Sequence, residues 1–375
     1  MTEIYLIRHA QAEGNIYHMM QGHWDGDVTK RGLAEISALR ERFTDIPVDA
    51  VYSSDLYRAR LTASAISRPH HLPIHTDADL REINIGPWEG EFFGNVIRDE
   101  PESAHVFMFD SDKWVHDGAE TYAQVGGRAL AAIKRIAGRH PGQCIAFVSH
   151  GVTIRCVLSR ILGLPLNDAD KLPICGNTAV SHLFYDGESF TPDYINDTSH
   201  TCFGSGIPWK KQRDVRDVPL DPMLESEYYT ACYADAWRSA HGSMKGFCAE
   251  TYLRSAAEHH RANGRAVLRM LVDDESVGLL DMDVQRGAHM GVGWISLIYL
   301  KPEYRHMGLG VQVLGRAVML YRSLGRNAIR LHVAERNIAA RAFYEKLGFR
   351  LLQTEPGFDG DLLLMELRPE DREDV

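Results

Sequence analysis

Two histidines in the first half of the chain follow short apolar runs, where strands are expected to end. Residues 4–7 lead into Arg8 and His9, and residues 144–148 lead to His150. An apolar run without polar alternation predicts a strand buried on both faces, as in a parallel sheet. Ligands of open α/β sheets bind at the carboxyl ends of such strands. An arginine beside a neutral imidazole suits a phosphoryl group, which the guanidinium neutralises and an imidazole nitrogen can attack.

A third junction between a strand and a helix carries another cation. A strand over 50–52 precedes a helix that Ser54 or Asp55 caps, and Arg58 lies in its first turn, where the helix dipole favours an anion. Taken alone, Arg58 is better explained as a surface arginine. Three such junctions together predict a phosphate pocket at one edge of a sheet.

The stretch between these junctions supplies a carboxylate and a candidate lid. Glu82 can protonate the leaving oxygen of a phosphoester, provided that neighbouring groups raise its pKa. An ion pair with Arg81 is the alternative, and the spacing does not decide between them. Segment 91–118 predicts a lid that selects substrate, although ordinary core is the commoner explanation for its aromatic residues. The apolar residues that indicate the lid are Phe92, Phe93, Val96, Phe107, Met108, Phe109 and Trp114.

These segments, in this order, resemble the histidine phosphatase superfamily, in the branch of the cofactor-dependent phosphoglycerate mutases and broad-specificity phosphatases. The resemblance covers about residues 1–202. It implies a three-layer α/β/α, phosphoglycerate mutase-like domain over residues 1–204 that needs no metal. It also implies that His9 is the nucleophile that forms a phosphohistidine, and that Glu82 is first the acid and then the base that activates water. The implied phosphate-binding residues are Arg8, Asn15, Arg58 and His150.

Two details bear on the kind of activity. Leu80-Arg81-Glu82 followed by Gly86-Pro87-Trp88-Glu89-Gly90 resembles the phosphatase members, and the long insertions of the mutases are not evident. Phosphatase activity is therefore favoured, and mutase activity is the alternative. The segment 118–121 resembles the family's Gly-Glu-Ser motif, with Ala119 and Thr121 as departures that concern the shape of the pocket.

The second half of the chain contains a glycine-rich loop before a helix. In Arg305-x-x-Gly308-x-Gly310 the bare backbone N–H groups could hold a pyrophosphate, although a structural turn explains such a loop more often. No Lys-Ser/Thr pair follows, so the loop is not a Walker motif. Position 313 is valine, so it is not a dinucleotide fingerprint either.

The order of strand 294–300, this loop, strand 329–333 and the segment 337–349 resembles a GNAT N-acetyltransferase. The resemblance implies an α/β domain with a mixed sheet over residues 215–370, and acetyl-CoA as co-substrate. Tyr344 would protonate the departing thiolate, although an aromatic residue packed in the core is nearly as good an explanation. The implied cofactor-binding residues are Leu297, Ile298, Arg305, His306, Met307, Gly308, Leu309, Gly310 and Asn337. The base that would deprotonate the amine is left open among Glu250, Asp281 and Asp283.

Composition limits the partners and the compartment. The chain has 375 residues and a net charge of −10, with no basic arm, which argues against nucleic acid as a partner. The first residues and the apolar runs predict neither a secretory signal nor a membrane span, and the six scattered cysteines indicate reduced thiols in the cytoplasm, without a zinc site. The break in periodicity over 205–222 predicts a linker, with the boundary near residue 205.

The predicted protein is a bifunctional enzyme, a phosphatase joined to an acetyltransferase. Its substrates would be a small phosphoester and a small amine, and one molecule that carries both groups is a hypothesis based on the fusion alone. The alternative is a second domain that senses acyl-CoA and regulates the phosphatase. The oligomeric state is left open.

Overall fold

The computed structural model describes residues 1–204, 213–357 and 360–368, apart from the side chains of residues 169 and 170. The chain divides at residue 213 into two compact units. The predicted boundary near residue 205 lies outside the described residues. The predicted linker extends too far, because residues 216–219 form an edge strand of the second sheet. An edge strand tolerates the Pro219 that indicated a break, since one of its sides has no ladder of hydrogen bonds.

The first unit contains six strands and seven helices of four residues or more outside the short 3₁₀ turns, in the part that the structure describes. The strands are β1 (Thr2–Arg8), β2 (Ala50–Ser53), β3 (Ile74–Thr76), β4 (Cys144–Ser149), β5 (Val180–Tyr185) and β6 (Phe190–Asp197). The helices are α1 (Glu13–Tyr17), α2 (Lys30–Phe43), α3 (Tyr57–His70), α4 (Phe93–Asp99), α5 (Pro101–Phe109), α6 (Tyr122–Ala137) and α7 (Gly151–Ile161).

The sheet of the first unit has the order β3-β2-β4-β1-β5-β6. Strands β3, β2, β4 and β1 are parallel, and β5 and β6 are antiparallel to their neighbours. Tyr5 and Ile7 of β1 pack with helices α2 and α3, whereas Ile4 and Leu6 pack with α6 and α7. The apolar run of β1 is therefore continuous because each of its faces meets a separate layer of helices.

The second unit contains seven strands and four helices within the described ranges. The strands are β7 (Arg216–Pro219), β8 (Val267–Val272), β9 (Glu275–Asp283), β10 (Val292–Leu300), β11 (Ala328–Ala334), β12 (Arg350–Gly357) and β13 (Gly360–Leu367). The helices are α8 (Ser226–His241), α9 (Ala249–Ala262), α10 (Leu309–Ser323) and α11 (Ile338–Lys346).

The second sheet has the order β12-β13-β11-β10-β9-β8-β7 and is mixed, as predicted, because only β10 and β11 run parallel. These two strands pair only from Val292 to Ile295 on β10, and they separate beyond that point. The β9–β10 pairing shifts register at the same place, between Ile295 and Leu297. The β11 side of residues 296–300 is thus left without a strand partner.

Neither unit has a helix, within the described ranges, that is long and apolar enough to cross a membrane. All six cysteines are free thiols.

Candidate active sites

The parallel strands of the first unit bring its predicted site residues to one edge of the sheet. Strands β1 and β4 are adjacent, with Arg8 opposite Ser149, so that His9 and His150 follow the ends of neighbouring strands. The centroids of the two imidazole rings are 5.1 Å apart. Strand β2 lies on the other side of β4 and leads to Arg58 through the start of α3. The structure therefore brings Arg8, His9, Arg58 and His150 together.

His9 is held with one nitrogen free. It is 2% exposed, and its Nδ1 lies 2.7 Å from the carbonyl oxygen of Ala10, to which only a protonated nitrogen can donate. The hydrogen is thus on Nδ1, and Nε2 keeps its lone pair. Burial, together with the charges of Arg58 and Arg8, holds the pKa of His9 well below its usual value. The imidazole is therefore neutral at physiological pH, as a nucleophile requires.

His150 carries its hydrogen on the opposite nitrogen. Its Nε2 lies 2.8 Å from Ser54 Oγ, and that oxygen also accepts a hydrogen bond of 3.3 Å from the N–H of Leu56. The Ser54 hydroxyl can then donate to Nε2, which leaves the hydrogen of His150 on Nδ1. This Nδ1 is buried and has no hydrogen-bond partner among the described residues. Burial, with the charge of Arg58, also holds the pKa of His150 well below its usual value.

Arg58 is buried completely and is not the surface arginine that its position alone favours. Its two Nη atoms donate to the carbonyl oxygens of Gln21, Gly22 and Trp24 and to the carboxylate of Asp25, at 2.8–3.2 Å. Its Nε has no partner among the described residues, and neither has the Nε of Arg8. Burial lowers the pKa of Arg58, although the nearby carboxylates of Asp25, Glu82 and Glu89 oppose that effect.

Arg8 and Asn15 occupy the same edge of the sheet. Arg8 donates to the carbonyl oxygen of Cys175 at 2.5 Å, and its guanidinium lies against Gly151, where a side chain would come within 3.2 Å of Nε. The Oδ1 of Asn15 accepts from the N–H of Ala12 at 2.9 Å. The amide group of Asn15 is thus oriented with its oxygen toward the backbone, so that its NH₂ group is the end available to a ligand.

The carboxylate of Glu82 lies beside the N-terminus of helix α7. It does not pair with Arg81, which instead forms an ion pair with Asp55. Its Oε1 accepts hydrogen bonds of 3.0–3.1 Å from the N–H groups of Ile83 and Thr153. The hydroxyl of Thr153 lies 3.0 Å from the same oxygen and 2.8 Å from the carbonyl oxygen of Arg81, and its one hydrogen can be donated to either. Oε2 of Glu82 accepts one hydrogen bond, of 3.1 Å, from the N–H of Val152. Oε2 is therefore the oxygen with room for a proton.

Arg128 is a residue that the sequence does not single out, and it holds the stretch around Glu82 in place. Its guanidinium donates to the carbonyl oxygens of Asp79, Arg81 and Glu82 at 2.8–2.9 Å and to the carboxylate of Glu120 at 2.7–2.8 Å. No local signal predicts this role, because the three carbonyl oxygens belong to residues 46–49 positions away along the chain. Only the segment around Glu120, with its resemblance to the family motif, indicates the place.

The predicted lid segment is packed mainly as core. Phe93, Phe107 and Trp114 are buried in one apolar cluster with Trp88 and Tyr122, whereas Phe109 is 48% exposed. The ordinary-core alternative therefore accounts for most of its aromatic residues.

Among the residues described in this unit and the next, no group of three or more His, Cys, Asp or Glu side chains could hold a metal ion.

A gap between β10 and β11 lies beside residues of the second unit that the sequence predicts to bind the cofactor. Leu297 and Ile298 lie just beyond the point where the strands separate, so their backbone groups on the β11 side are not used by that strand. The loop before α10 has left-handed backbone at His306 and Gly308, with φ of 61° and 79°. Residues 306–308 are exposed, and the N-terminus of α10 with its unbonded N–H groups follows them.

The remaining residues predicted to bind the cofactor lie around the same helix. Gly310 packs under the ring of Phe343, which would come within 3.2 Å of a Cβ at that position. Arg305 donates through Nε to the carbonyl oxygen of Leu300 at 2.8 Å. Asn337 caps α11, since its Oδ1 accepts from the N–H of Ala340 at 3.2 Å. The predicted set is thus placed on the loop, the open strand edge and the start of α11.

Tyr344 is 9% exposed, and its ring contacts Phe343 and Phe349, with centroid separations of 5.3 Å in both cases. Burial raises its pKa, so the phenol keeps its proton at physiological pH. Its ring is thus part of the core, and its phenol is protonated, so packing and proton donation are both compatible with its position.

The three candidates for the base differ in their surroundings. Glu250 is exposed on α9. Asp281 is 1% exposed, accepts from the hydroxyl of Tyr229 at 2.7 Å, and lies 2.7 Å from Nδ1 of His259. Asp283 lies 3.4 Å from Nε2 of the same histidine. Burial opposes a charge on His259, but the two carboxylates outweigh that effect and raise its pKa.

Comparison with known proteins gives one family for each unit. A family model described as the histidine phosphatase superfamily (branch 1) matches residues 4–198. A second, described as the acetyltransferase (GNAT) family, matches residues 226–349. The two matched ranges lie on either side of the division between the compact units.

Individual proteins and structures are also similar to this chain. A metal-independent phosphoserine phosphatase of Arabidopsis thaliana is 31% identical over 204 residues, which are 53% of this chain and 83% of that protein. Phosphoserine phosphatase 1 of Hydrogenobacter thermophilus is 30% identical over 167 residues, which are 44% and 79% of the two chains. The solved structure of Bacillus stearothermophilus YhfR has a TM-score of 0.52 and 30% identity, and the alignment covers 53% of this chain and 99% of that one.

Proposed function

Because the chain belongs to the histidine phosphatase superfamily and also carries a GNAT acetyltransferase domain, we propose that it is a bifunctional enzyme. The first activity is metal-independent hydrolysis of phosphomonoesters, and the second is transfer of an acetyl group from acetyl-CoA to an amine. Both family resemblances that the motifs indicate are confirmed by these matches, and so is the α/β fold class of each unit. The proposed domain limits are residues 1–204 and 215–370.

One observation carries the phosphatase proposal. Three buried N–H donors, on Arg8 Nε, Arg58 Nε and His150 Nδ1, have no hydrogen-bond partner among the described residues. An unpaired buried donor costs roughly 1–3 kcal/mol of stability, so three of them at the carboxyl ends of neighbouring strands indicate that a ligand supplies the missing acceptors. The oxygens of a phosphoryl group would accept from all three, beside the free Nε2 of His9.

In the proposed mechanism, His9 Nε2 attacks phosphorus, and the bond to the ester oxygen breaks. Oε2 of Glu82 gives its proton to that oxygen, and the alcohol leaves. The same carboxylate then takes a proton from water, which attacks the phosphohistidine and releases phosphate and free His9. Arg8, Arg58 and His150 stabilise the charge on the phosphoryl oxygens throughout. O-Phosphoserine is the first substrate to test, because two similar proteins are phosphoserine phosphatases.

Trapping the intermediate tests this proposal. With a phosphoester labelled in its phosphate, we expect acid-labile label on His9 and full turnover in EDTA. His9→Ala should abolish hydrolysis, whereas His105→Ala, an exposed histidine on α5, should not change it. Loss of activity on chelation, or hydrolysis by His9→Ala at the parent rate, would contradict the proposal.

The residues of the second unit fit coenzyme A. Exposed backbone at 306–308 with two left-handed residues, followed by a helix N-terminus, suits a pyrophosphate, and the open edge of β10 suits an extended amide chain. Acetyl-CoA would supply an activated acyl group with a thiolate leaving group. Tyr344 would hold the proton that the thiolate receives, and its raised pKa keeps that proton in place until the sulfur leaves.

Replacing the phenol tests the role of Tyr344. Tyr344→Phe keeps the ring that packs against Phe343 and Phe349, so the affinity for acetyl-CoA should be unchanged. The acetyl transfer rate should fall about 10–10²-fold, and less for thioesters with more acidic thiols, which need no proton. If the variant transfers acetyl at the parent rate, Tyr344 is only core. If the parent binds acetyl-CoA but acetylates no amine, the domain is a sensor.

A further inference from the structure

A cluster of four aromatic side chains lies on α8, on α9 and in the loop between them, and neither proposed activity yet uses it. Its members are Tyr233, Trp237, Phe247 and Tyr252. The ring centroids are 4.1 Å apart for Tyr233 and Tyr252, and 5.7 Å apart for Phe247 and Tyr252. The centroid of Trp237 is 5.8 Å from that of Tyr252 and 6.0 Å from that of Phe247. All four are half-buried, whereas the neighbouring Tyr229 is completely buried. The aromatic cluster thus borders the core without being sealed in it.

The aromatic cluster lies beside the place where the acetyl group would be held. The side chain of Leu297, just past the separation of β10 from β11, packs in the same apolar group as Tyr233 and Tyr252. Leu297 pairs with Asp281 of β9, so both side chains point to the face of the sheet that α8 and α9 cover. An amine bound against the aromatic cluster would therefore be next to the open edge of β10.

The surroundings of the aromatic cluster favour a cation. Next to it, Tyr229 contacts Tyr233 and donates to Asp281, and Asp281 and Asp283 lie on either side of His259, so that two carboxylates face at most one positive charge. Asp235 lies two positions from both Tyr233 and Trp237 on α8 and therefore on another side of this helix, where it accepts a hydrogen bond of 2.9 Å from Tyr299 and lies 3.7 Å from Arg305. Aromatic faces near carboxylates attract an ammonium group through both the ring quadrupole and the charge.

One buried polar atom in the aromatic cluster has no hydrogen-bond partner among the described residues. The indole Nε1 of Trp237 is buried and makes no hydrogen bond to any described residue. Buried tryptophan N–H groups usually find an acceptor. The missing acceptor, together with the half-exposed rings, indicates that a ligand completes this cluster.

We propose that the aromatic cluster is the acceptor pocket of the acetyltransferase, and that its substrate is a primary amine attached to a flat apolar group. The pocket would reject amino acids and phosphorylated amines, because their anionic groups would lie near the Asp281–His259–Asp283 network, in which the carboxylates outnumber the imidazole. This inference rests on the proposed acetyl transfer. It also implies that the two domains act on different molecules if the phosphatase takes a phosphorylated amino acid.

A panel of amines tests the substrate class in the full chain. With acetyl-CoA, we expect kcat/KM for 2-phenylethylamine to exceed that for serine, O-phosphoserine and spermidine by at least about tenfold, the discrimination that burial of an apolar group provides. If the chain acetylates serine or spermidine as well as 2-phenylethylamine, the inference is overturned and the proposed acetyl transfer stands.

Replacing Trp237 tests the place. Trp237→Leu should raise KM for 2-phenylethylamine about tenfold and leave KM for acetyl-CoA unchanged. The matched control is Tyr228→Leu, which removes a ring from the same helix outside the aromatic cluster, since Tyr228 lies over Arg269 at 4.3 Å. Unchanged acetyl-CoA binding shows that each variant is folded. Equal effects of the two substitutions on KM for 2-phenylethylamine would overturn the assignment of the aromatic cluster as the acceptor pocket.

Calorimetry with 2-phenylethylamine and coenzyme A separates the two proposals if no amine is acetylated. Binding by the parent that Trp237→Leu weakens would support the pocket while acetyl transfer fails. Absence of binding by the parent, or binding that Trp237→Leu leaves unchanged, would overturn the pocket.

Discussion

His9 and His150 are both buried and neutral, but their hydrogen-bond partners give the two rings opposite hydrogen positions. A carbonyl oxygen can only accept, so Ala10 fixes the hydrogen of His9 on Nδ1. A hydroxyl can donate, so Ser54 leaves Nε2 of His150 unprotonated and places its hydrogen on Nδ1. One imidazole is thereby prepared to attack and the other to donate a hydrogen bond, although the two side chains are chemically the same.

Ser54→Ala should weaken phosphate binding and spare the nucleophile. Without the hydroxyl, His150 can place its hydrogen on either nitrogen, so we expect the inhibition constant of inorganic phosphate to rise about 3–10-fold. Labelling of His9 should still occur. The control is Ser53→Ala, because the buried hydroxyl of Ser53 bonds the backbone of Ser54 at 2.8 Å and not the imidazole. An unchanged inhibition constant in Ser54→Ala would mean that His150 keeps its tautomer without Ser54.

At the scale of elements, Glu82 depends on two helices that are far away in sequence. It lies on a stretch with only short 3₁₀ turns, Ala78–Leu80 and Gly86–Trp88, which provide no extended framework. The start of α7 donates to its carboxylate, and Arg128 of α6 holds three carbonyl oxygens of the stretch. Arg128 is thus a positioning residue for the proposed acid.

Arg128→Gln should act like a milder form of Glu82→Gln. Glu82→Gln should slow the hydrolysis of alkyl phosphates about 10²–10⁴-fold, and that of nitrophenyl phosphate less, because its leaving group needs no proton. Arg128→Gln should show the same preference with a loss of about tenfold. The control is Arg135→Gln, on the same helix, whose side chain is 51% exposed and pairs with Asp77. Equal losses on both esters in Arg128→Gln would indicate general damage and not misplacement of Glu82.

The sequence predicts the elements whose pattern is local. The buried strands of the first unit, the helix that contains Arg58 and the glycine turn before α10 are recognisable because each has its own local pattern of apolar residues or glycines. Strand β12 is mostly exposed and lacks such a pattern. The bonds from Arg128 to the carbonyl oxygens around Glu82 and the Ser54–His150 bond join residues 46–96 positions apart, which no spacing rule detects.

At the scale of the whole molecule, histidines that are buried in the first unit and half-buried in the second give the two units different responses to pH. In the first unit the pKa values of His9 and His150 are lowered, so acidification below pH 6.5 charges them in the unfolded chain before the folded one. Stability of this unit should fall as the pH falls below 6.5. In the second unit the pKa of His259 is raised by Asp281 and Asp283 against the effect of burial. Its contribution is complete below pH 6.5 and is lost as the pH rises through the folded pKa.

Thermal unfolding of the full chain should therefore show two transitions that move in different pH windows. Between pH 6.5 and 5, we expect the transition of the phosphatase unit to move to lower temperature. Its free energy of unfolding should fall by up to about 1.4 kcal/mol per pH unit for each histidine that stays neutral in the folded state. Above pH 6.5, the transition of the acetyltransferase unit should move to lower temperature. Acetyl-CoA, which should raise only the second transition, identifies it. His259→Gln should remove most of the change above pH 6.5 and leave the first transition unaffected. A second transition that is equally stable at pH 6.5 and pH 9 in the parent would show that His259 is not a charged link between α9 and β9.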